Sequence, residues 1–137
     1  MAGEQVLVVE DNEKNMKLVR DVLQATGYRT LEATRGEDAI ELALSHAPAL
    51  VLMDVQLPGI DGVEALARLR RDARTSAIPV LALTAQAMQS DRERFLNAGF
   101  DGYLSKPVDV TELVAAVREH CTRGSWHSGS SSRSIPT

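Results

Sequence analysis

Five apolar runs of strand length punctuate the chain, at Gln5–Val9, Tyr28–Ala33, Ala49–Met53, Pro79–Leu83 and Gly102–Leu104. The first, third and fourth are nearly continuous apolar (Val6-Leu7-Val8-Val9, Leu50-Val51-Leu52-Met53, Val80-Leu81-Ala82-Leu83). Such runs suit strands covered on both faces, as in a parallel sheet. The second and fifth mix polar residues in and predict edge strands. Between the runs lie segments of helical period. Met16, Val19, Val22 and Leu23 form one stripe, Ala39, Leu42 and Ala43 a second, and Val63, Leu66, Ala67 and Arg70 a third. Val110, Leu113, Val114, Val117 and Cys121 form the last, at i, i+3, i+4, i+7 and i+11. Helix punctuation agrees. Gly27 and Gly99 sit just past helical patterns, where a C′ glycine belongs. Ser90 with Glu93 reads as a capping box, and Asp61/Glu64 and Asp109/Glu112 repeat its logic with Asp as the cap.

Strand then helix repeats five times. Right-handed crossovers then require a parallel sheet with helices on both faces. The chain is read as an α/β, doubly wound, flavodoxin-like domain with five parallel strands in the order 2-1-3-4-5. In such sheets chemistry gathers at the carboxyl ends of the strands, near the point where the strand order reverses.

Composition narrows the function. A length of 137 residues fits one domain, and 44% hydrophobic with 25% charged residues supports a real core. No apolar stretch reaches the roughly 18 residues needed to span a bilayer, and no signal-like segment opens the chain, so no membrane partner is expected. The net charge is −4, with no basic run, which argues against direct nucleic-acid binding. One cysteine, Cys121, excludes an internal disulfide and suits a reducing cytoplasm, where it reads as a small packed side chain. From Gly124 to Thr137 the sequence turns Ser/Gly-rich without apolar period, so residues 1–123 are read as the domain. The tail is read as disordered and resembles a vector-derived remnant, which would leave Trp126 and His127 without a role.

The residues that follow the strands form an unusual set: Glu10 and Asp11 after the first, Asp54 after the third, Thr84 after the fourth, and Ser105, Lys106 and Pro107 after the fifth. Strands one, three and four are central in the expected order, so three carboxylates and a hydroxyl converge in one cleft. At about 5 Å and an effective dielectric near 20, each ionised carboxylate pair costs on the order of 3 kcal/mol. A hard divalent cation with oxygen ligands offsets that cost, and Mg²⁺ fits better than Ca²⁺ where few protein oxygens are offered. Lys106 supplies a fixed positive charge, and Pro107 restricts its backbone. A phosphoryl dianion would then meet a metal, an ammonium and a hydroxyl, which is the equipment of phosphoryl transfer. Taken singly, each Asp reads equally well as a cap or turn former and Lys106 as a surface charge. Their joint occurrence at separate strand ends decides the reading. Asp61, Asp101 and Asp109 are left as caps and loop residues. His46 and His120 are read as surface groups near helix C-termini.

These residues give the chain its resemblance to the receiver domain of two-component response regulators, a CheY-like fold. The matching stretches are Val6-Leu7-Val8-Val9-Glu10-Asp11-Asn12, Leu52-Met53-Asp54-Val55-Gln56-Leu57-Pro58-Gly59-Ile60-Asp61-Gly62, Leu83-Thr84-Ala85 and Gly102-Tyr103-Leu104-Ser105-Lys106-Pro107. Within the family, Glu10-Asp11-Asn12-Glu13 and Asn15-Met16-Lys17-Leu18 are similar to stand-alone receivers of the DivK type. The resemblance implies that Asp54 is the phosphoacceptor and that Asp11 and Asp54 bind Mg²⁺ directly. Glu10 would act through a metal-bound water, and the Gln56 carbonyl would complete the protein ligands, with Mn²⁺ as a substitute metal. Lys106, Thr84 and the Ala85 N–H would meet the phosphoryl group, and Thr84 with Tyr103 would form the switch. Gln56 and Gln86 would flank the attack path and tune self-dephosphorylation.

The partner implied is a histidine kinase or histidine phosphotransfer protein. A downstream protein would read the face made by the fourth helix (about Met88–Asn97), the fifth strand and the fifth helix (about Val110–Cys121), which carries Arg92, Arg94, Arg118 and Glu119. The domain is expected to be a monomer or weak dimer and a signalling phosphoacceptor rather than an enzyme. Met1 close before the first strand favours a chain that starts here, whereas a receiver excised from a hybrid kinase remains the alternative on the C-terminal side. A haloacid-dehalogenase-type phosphohydrolase needs an acid two residues after its nucleophile, where this chain has Gln56. A flavodoxin is disfavoured by the acidic first loop.

Overall fold

Residues 3–85 and 89–126 are described by the computed structural model. The strands are β1 (Gln5–Val9), β2 (Arg29–Ala33), β3 (Leu50–Asp54), β4 (Val80–Thr84) and β5 (Gly102–Ser105). The helices are α1 (Glu13–Ala25), α2 (Gly36–His46), α3 (Gly62–Arg71), α4 (Gln89–Ala98) and α5 (Val110–Trp126). All pairings are parallel, in the order β2-β1-β3-β4-β5. The architecture is the expected one.

Strand alternation divides the core into two layers. Val6, Val8, Leu50, Leu52, Leu81 and Leu83 pack against α1 and α5 through Met16, Val19, Leu23, Leu113, Val117 and Cys121. The opposite residues, Leu7, Val9, Val51, Met53, Val80 and Ala82, meet α2, α3 and α4. On that side Phe95 and Phe100 stack edge to face, with ring centroids 6.1 Å apart. Cys121 lies fully buried in the first layer, and burial pushes its thiol up to about 12 from the ordinary 9.0. The folded state therefore holds this proton. Its stabilisation is complete below pH 9 and lost as pH climbs toward 12. Urea midpoints should fall between pH 8.5 and 10.5, and fall less in Cys121→Val (~, set by the interval between the two thiol values). Equal slopes in the two proteins would exclude this origin.

Several expectations are corrected in detail. Asp54 and Thr84 are the last residues of their strands rather than the first beyond them. The buried stripe of α3 is Gly62, Ala65, Leu66 and Leu69, while Val63 is exposed and Ala67 half-buried. Two apolar stripes compete on this short helix, and the cap selects the phase. Asp61 accepts from the Glu64 N–H at 2.9 Å, which turns Gly62 toward the sheet. Arg70 leaves the stripe and works at its edge. Its Nη1 donates to the carbonyls of Ser76 (3.1 Å) and Ile78 (2.7 Å), and its Nη2 to Gly99 O (3.0 Å) and Asp101 Oδ2 (2.9 Å). His120 is buried rather than on the surface, within α5 rather than at its end, and its Nδ1 donates to Ala116 O at 2.8 Å. α5 thus runs three residues beyond the boundary at Arg123, and residues 127–137 lie outside the described ones. α4 begins at Gln89, so Ser90 sits inside its first turn rather than at the cap position. Asp109 caps α5 as expected, accepting from the Glu112 N–H at 3.0 Å.

Candidate functional site

Sheet register assembles the site. Val9 pairs with Met53, which sets Glu10 level with Asp54. Thr84 pairs with Ser105, which delivers Lys106 one residue beyond. The Lys106 N–H donates to Thr84 O at 2.8 Å, and its peptide bond to Pro107 is cis.

Glu10 is buried. Its N–H donates to Ala33 O (3.0 Å) and its Oε2 accepts from the Asn12 N–H (3.1 Å). The Asn12 side chain caps α1, accepting from the Lys14 and Asn15 N–H groups at 3.0 Å each. One residue therefore fixes both the helix start and the Glu10 carboxylate. Asp54 is buried as well. Its Oδ1 accepts from the Gln56 N–H at 2.9 Å and its Oδ2 from Lys106 Nζ at 2.8 Å. Lys106 Nζ also lies 3.0 Å from Glu10 Oε1. That oxygen is buried and accepts no well-aligned hydrogen bond.

Electrostatics follow from this crowding. Burial raises the Glu10 carboxyl above its ordinary range, and Asp54 adds to the rise, while Lys106 and the Asn12 N–H oppose it. Burial alone would lower Lys106, but its hydrogen bond to Asp54 and the nearby Glu10 carboxylate outweigh that and hold the ammonium above its usual value.

Glu10, Asp11 and Asp54 each offer a carboxylate oxygen within 4.8 Å of the others. The donor set is all hard oxygen, and Glu10 Oε1 still lacks a well-aligned partner. Both features fit a hard divalent cation. Asp11 is exposed, so the cluster opens to solvent on its side. Thr84 is buried at the end of β4, and the Ala82–Tyr103 pairing sets Tyr103 on the same sheet face, half-buried against the α2–α4 layer. Gln56 and Ala85 are exposed, and Gln86 lies outside the described residues.

Two positions were not legible as functional from the sequence. Asn12 stands in the sequence only as the end of the stretch Val6–Asn12, and the folded turn shows its grip on Glu10. Gly62 stands in the sequence only as the residue after the Asp61 cap. A Cβ there would lie 2.4 Å from Asp54 O and 2.9 Å from Val55 Cα, so α3 reaches the end of β3 only through glycine. The Gly62 N–H donates to Val55 O at 2.9 Å.

Residues 6–118 match the family model described as the response regulator receiver domain. The chain belongs to this receiver family. It is 44% identical over 115 residues to the polar-differentiation response regulator DivK of Brucella anthropi, covering 84% of this chain and 94% of that protein. Among solved structures, it is similar to a putative response regulator from Chloroflexus aurantiacus J-10-fl. The TM-score is 0.84 at 34% identity, covering 88% of this chain and 99% of that one. It is also similar to the receiver domain of a sensor histidine kinase from Pseudomonas aeruginosa PAO1, in which a magnesium ion is coordinated in the active site cleft. There the TM-score is 0.82 at 36% identity, again covering 88% and 99%. Receivers are signalling proteins of two-component systems, and the acidic cluster here is of the kind that binds Mg²⁺ in the family. The phosphohydrolase and flavodoxin alternatives are set aside by this match. Among the described residues, no helix is long and apolar enough to cross a membrane.

Proposed function

We propose that this receiver takes a phosphoryl group from a phosphohistidine, on a histidine kinase or histidine phosphotransfer protein, onto Asp54. The observation that carries the reading is Lys106, held 2.8 Å from Asp54 and 3.0 Å from Glu10 where the strand ends meet. An Asp54 carboxylate oxygen forms the bond to phosphorus as the phosphorus–nitrogen bond breaks, and the imidazole leaves with the electron pair. Lys106 keeps its proton and turns its ammonium to the incoming phosphoryl oxygens. Glu10, Asp11, Asp54 and the Gln56 carbonyl would hold Mg²⁺, with Mn²⁺ as a substitute, and the ion would neutralise charge on the phosphoryl group. The Thr84 hydroxyl and the Ala85 N–H close on the same oxygens. Gln56 and Gln86 flank the path along which water later removes the group. The likeness to DivK supports a response regulator over a hybrid-kinase receiver.

The test is intact mass after incubation with acetyl phosphate and Mg²⁺, with and without EDTA. One phosphoryl group added only with Mg²⁺ supports the reading. Donor turnover without a lasting adduct would restore a phosphohydrolase.

Phosphorylation then shifts a conformational population by contacts present only with the phosphoryl group. Thr84 and Tyr103 carry the shift to the α4–β5–α5 face, where a downstream protein binds. Thr84→Ala should accept phosphate normally, while the gain in partner affinity shrinks to less than about twofold, against the five-fold or more typical of allosteric coupling. Calorimetric titration of both states checks this, and an undiminished gain would remove Thr84 from the switch.

A further inference from the structure

A groove of about 810 Å³ runs between the start of α3 and the α4 helix. Its lining includes Asp11, Gln56, Asp61, Val63, Arg94 and Ala98. It adjoins the phosphoacceptor on two sides. A carboxylate oxygen of Asp11 lies within 4.8 Å of one on Asp54, and the Gln56 N–H binds Asp54 Oδ1. Among the described lining residues Arg94 carries the one cation, anchored with its guanidinium carbon 5.0 Å from the centre of the Phe95 ring. Phe95 is itself buried in the core, so the arginine rests on a rigid support.

We propose that Arg94 is a positioning residue that holds the leaving group of small acyl phosphate donors in this groove. The inference rests on Asp54 being the phosphoacceptor. An acyl phosphate gives up its phosphoryl group when an Asp54 oxygen bonds to phosphorus and the phosphorus–oxygen bond to the acyl group breaks. The electron pair departs with a carboxylate. That anion needs a cation, because Asp11 and Asp61 on the same walls repel it. Val63 and Ala98 offer an apolar surface to the acyl chain. Phosphohistidine and phosphoramidate, protonated on nitrogen before the phosphorus–nitrogen bond breaks, release neutral imidazole and ammonia, which gain nothing from a guanidinium. Arg94 therefore discriminates between donor classes.

Initial rates of adduct formation, followed by intact mass against donor concentration at saturating Mg²⁺, test this in wild type, Arg94→Ala and Arg94→Lys. For acetyl phosphate the second-order rate constant should fall about fivefold in Arg94→Ala, as for loss of one partly exposed ion pair formed as the carboxylate leaves, and recover in part in Arg94→Lys. For phosphoramidate it should change less than about twofold, well below one such ion pair. An unchanged acetyl phosphate dependence, or equal losses with both donors, overturns the role of Arg94. A wild type phosphorylated by neither donor overturns the phosphoacceptor reading and this inference with it.

Discussion

Asp54→Asn should take up no phosphoryl group from acetyl phosphate under conditions that phosphorylate the wild type fully, while its far-ultraviolet circular dichroism stays unchanged. The amide lacks the carboxylate oxygen that, on the proposed function, bonds to phosphorus. The fold is expected to survive because Lys106 retains Glu10 at 3.0 Å, and because removing one of three crowded negative charges offsets the lost Lys106–Asp54 ion pair. Intact mass and a thermal melt measured on the same sample check both halves. A stable adduct on the Asn variant would place the phosphoacceptor elsewhere.

Gly62→Ala should be the most damaging single methyl in the domain. The new Cβ would sit 2.4 Å from Asp54 O, a backbone atom in the central strand β3, and 2.9 Å from Val55 Cα. Neither neighbour is a flexible side-chain tip. Either α3 withdraws and loses the Gly62–Val55 hydrogen bond, or β3 shifts and moves Asp54 away from Lys106. Overpacking of this kind costs about 2–3 kcal/mol, which lowers the melting temperature by roughly 10 °C in a domain of this size. Phosphorylation by acetyl phosphate should slow along with it, since the strain falls on the carbonyl of Asp54, the proposed phosphoacceptor. A melt within about 2 °C of wild type, under 1 kcal/mol, would show that α3 yields freely.

The arrangement of strands and the residues gathered at the strand ends were legible because both depend on short-range signals. Continuous apolar runs mark the covered strands, and Glu10, Asp54, Thr84 and Lys106 each stand at or just past the end of a run. What the sequence left ambiguous depended on phase or on distant contact. The α3 stripe offered two faces, and the Asp61 cap chose the one through Ala65 and Leu69. His120 looked terminal because the Ser/Gly composition after Arg123 gave no sign that the helix continues. The close approach of Gly62 to Asp54 involves two segments whose spacing only the folded loop determines. The hold of Asn12 on Glu10 runs through its backbone N–H, which carries no sequence signature.

The four hydrogen bonds of Arg70 have a mechanical consequence. They gather oxygens from the segment before β4 and from Gly99 and Asp101, which flank the turn between α4 and β5. Asp101 Oδ2 in turn accepts from the Val80 N–H at 2.8 Å, so the guanidinium is locked to the first residue of β4 as well. The carboxyl end of α4 is thus a fixed fulcrum. A displacement of the helix would pivot near Gly99, with its longest arc at Gln89, because its carboxyl end is bolted to α3 on the same side of the sheet.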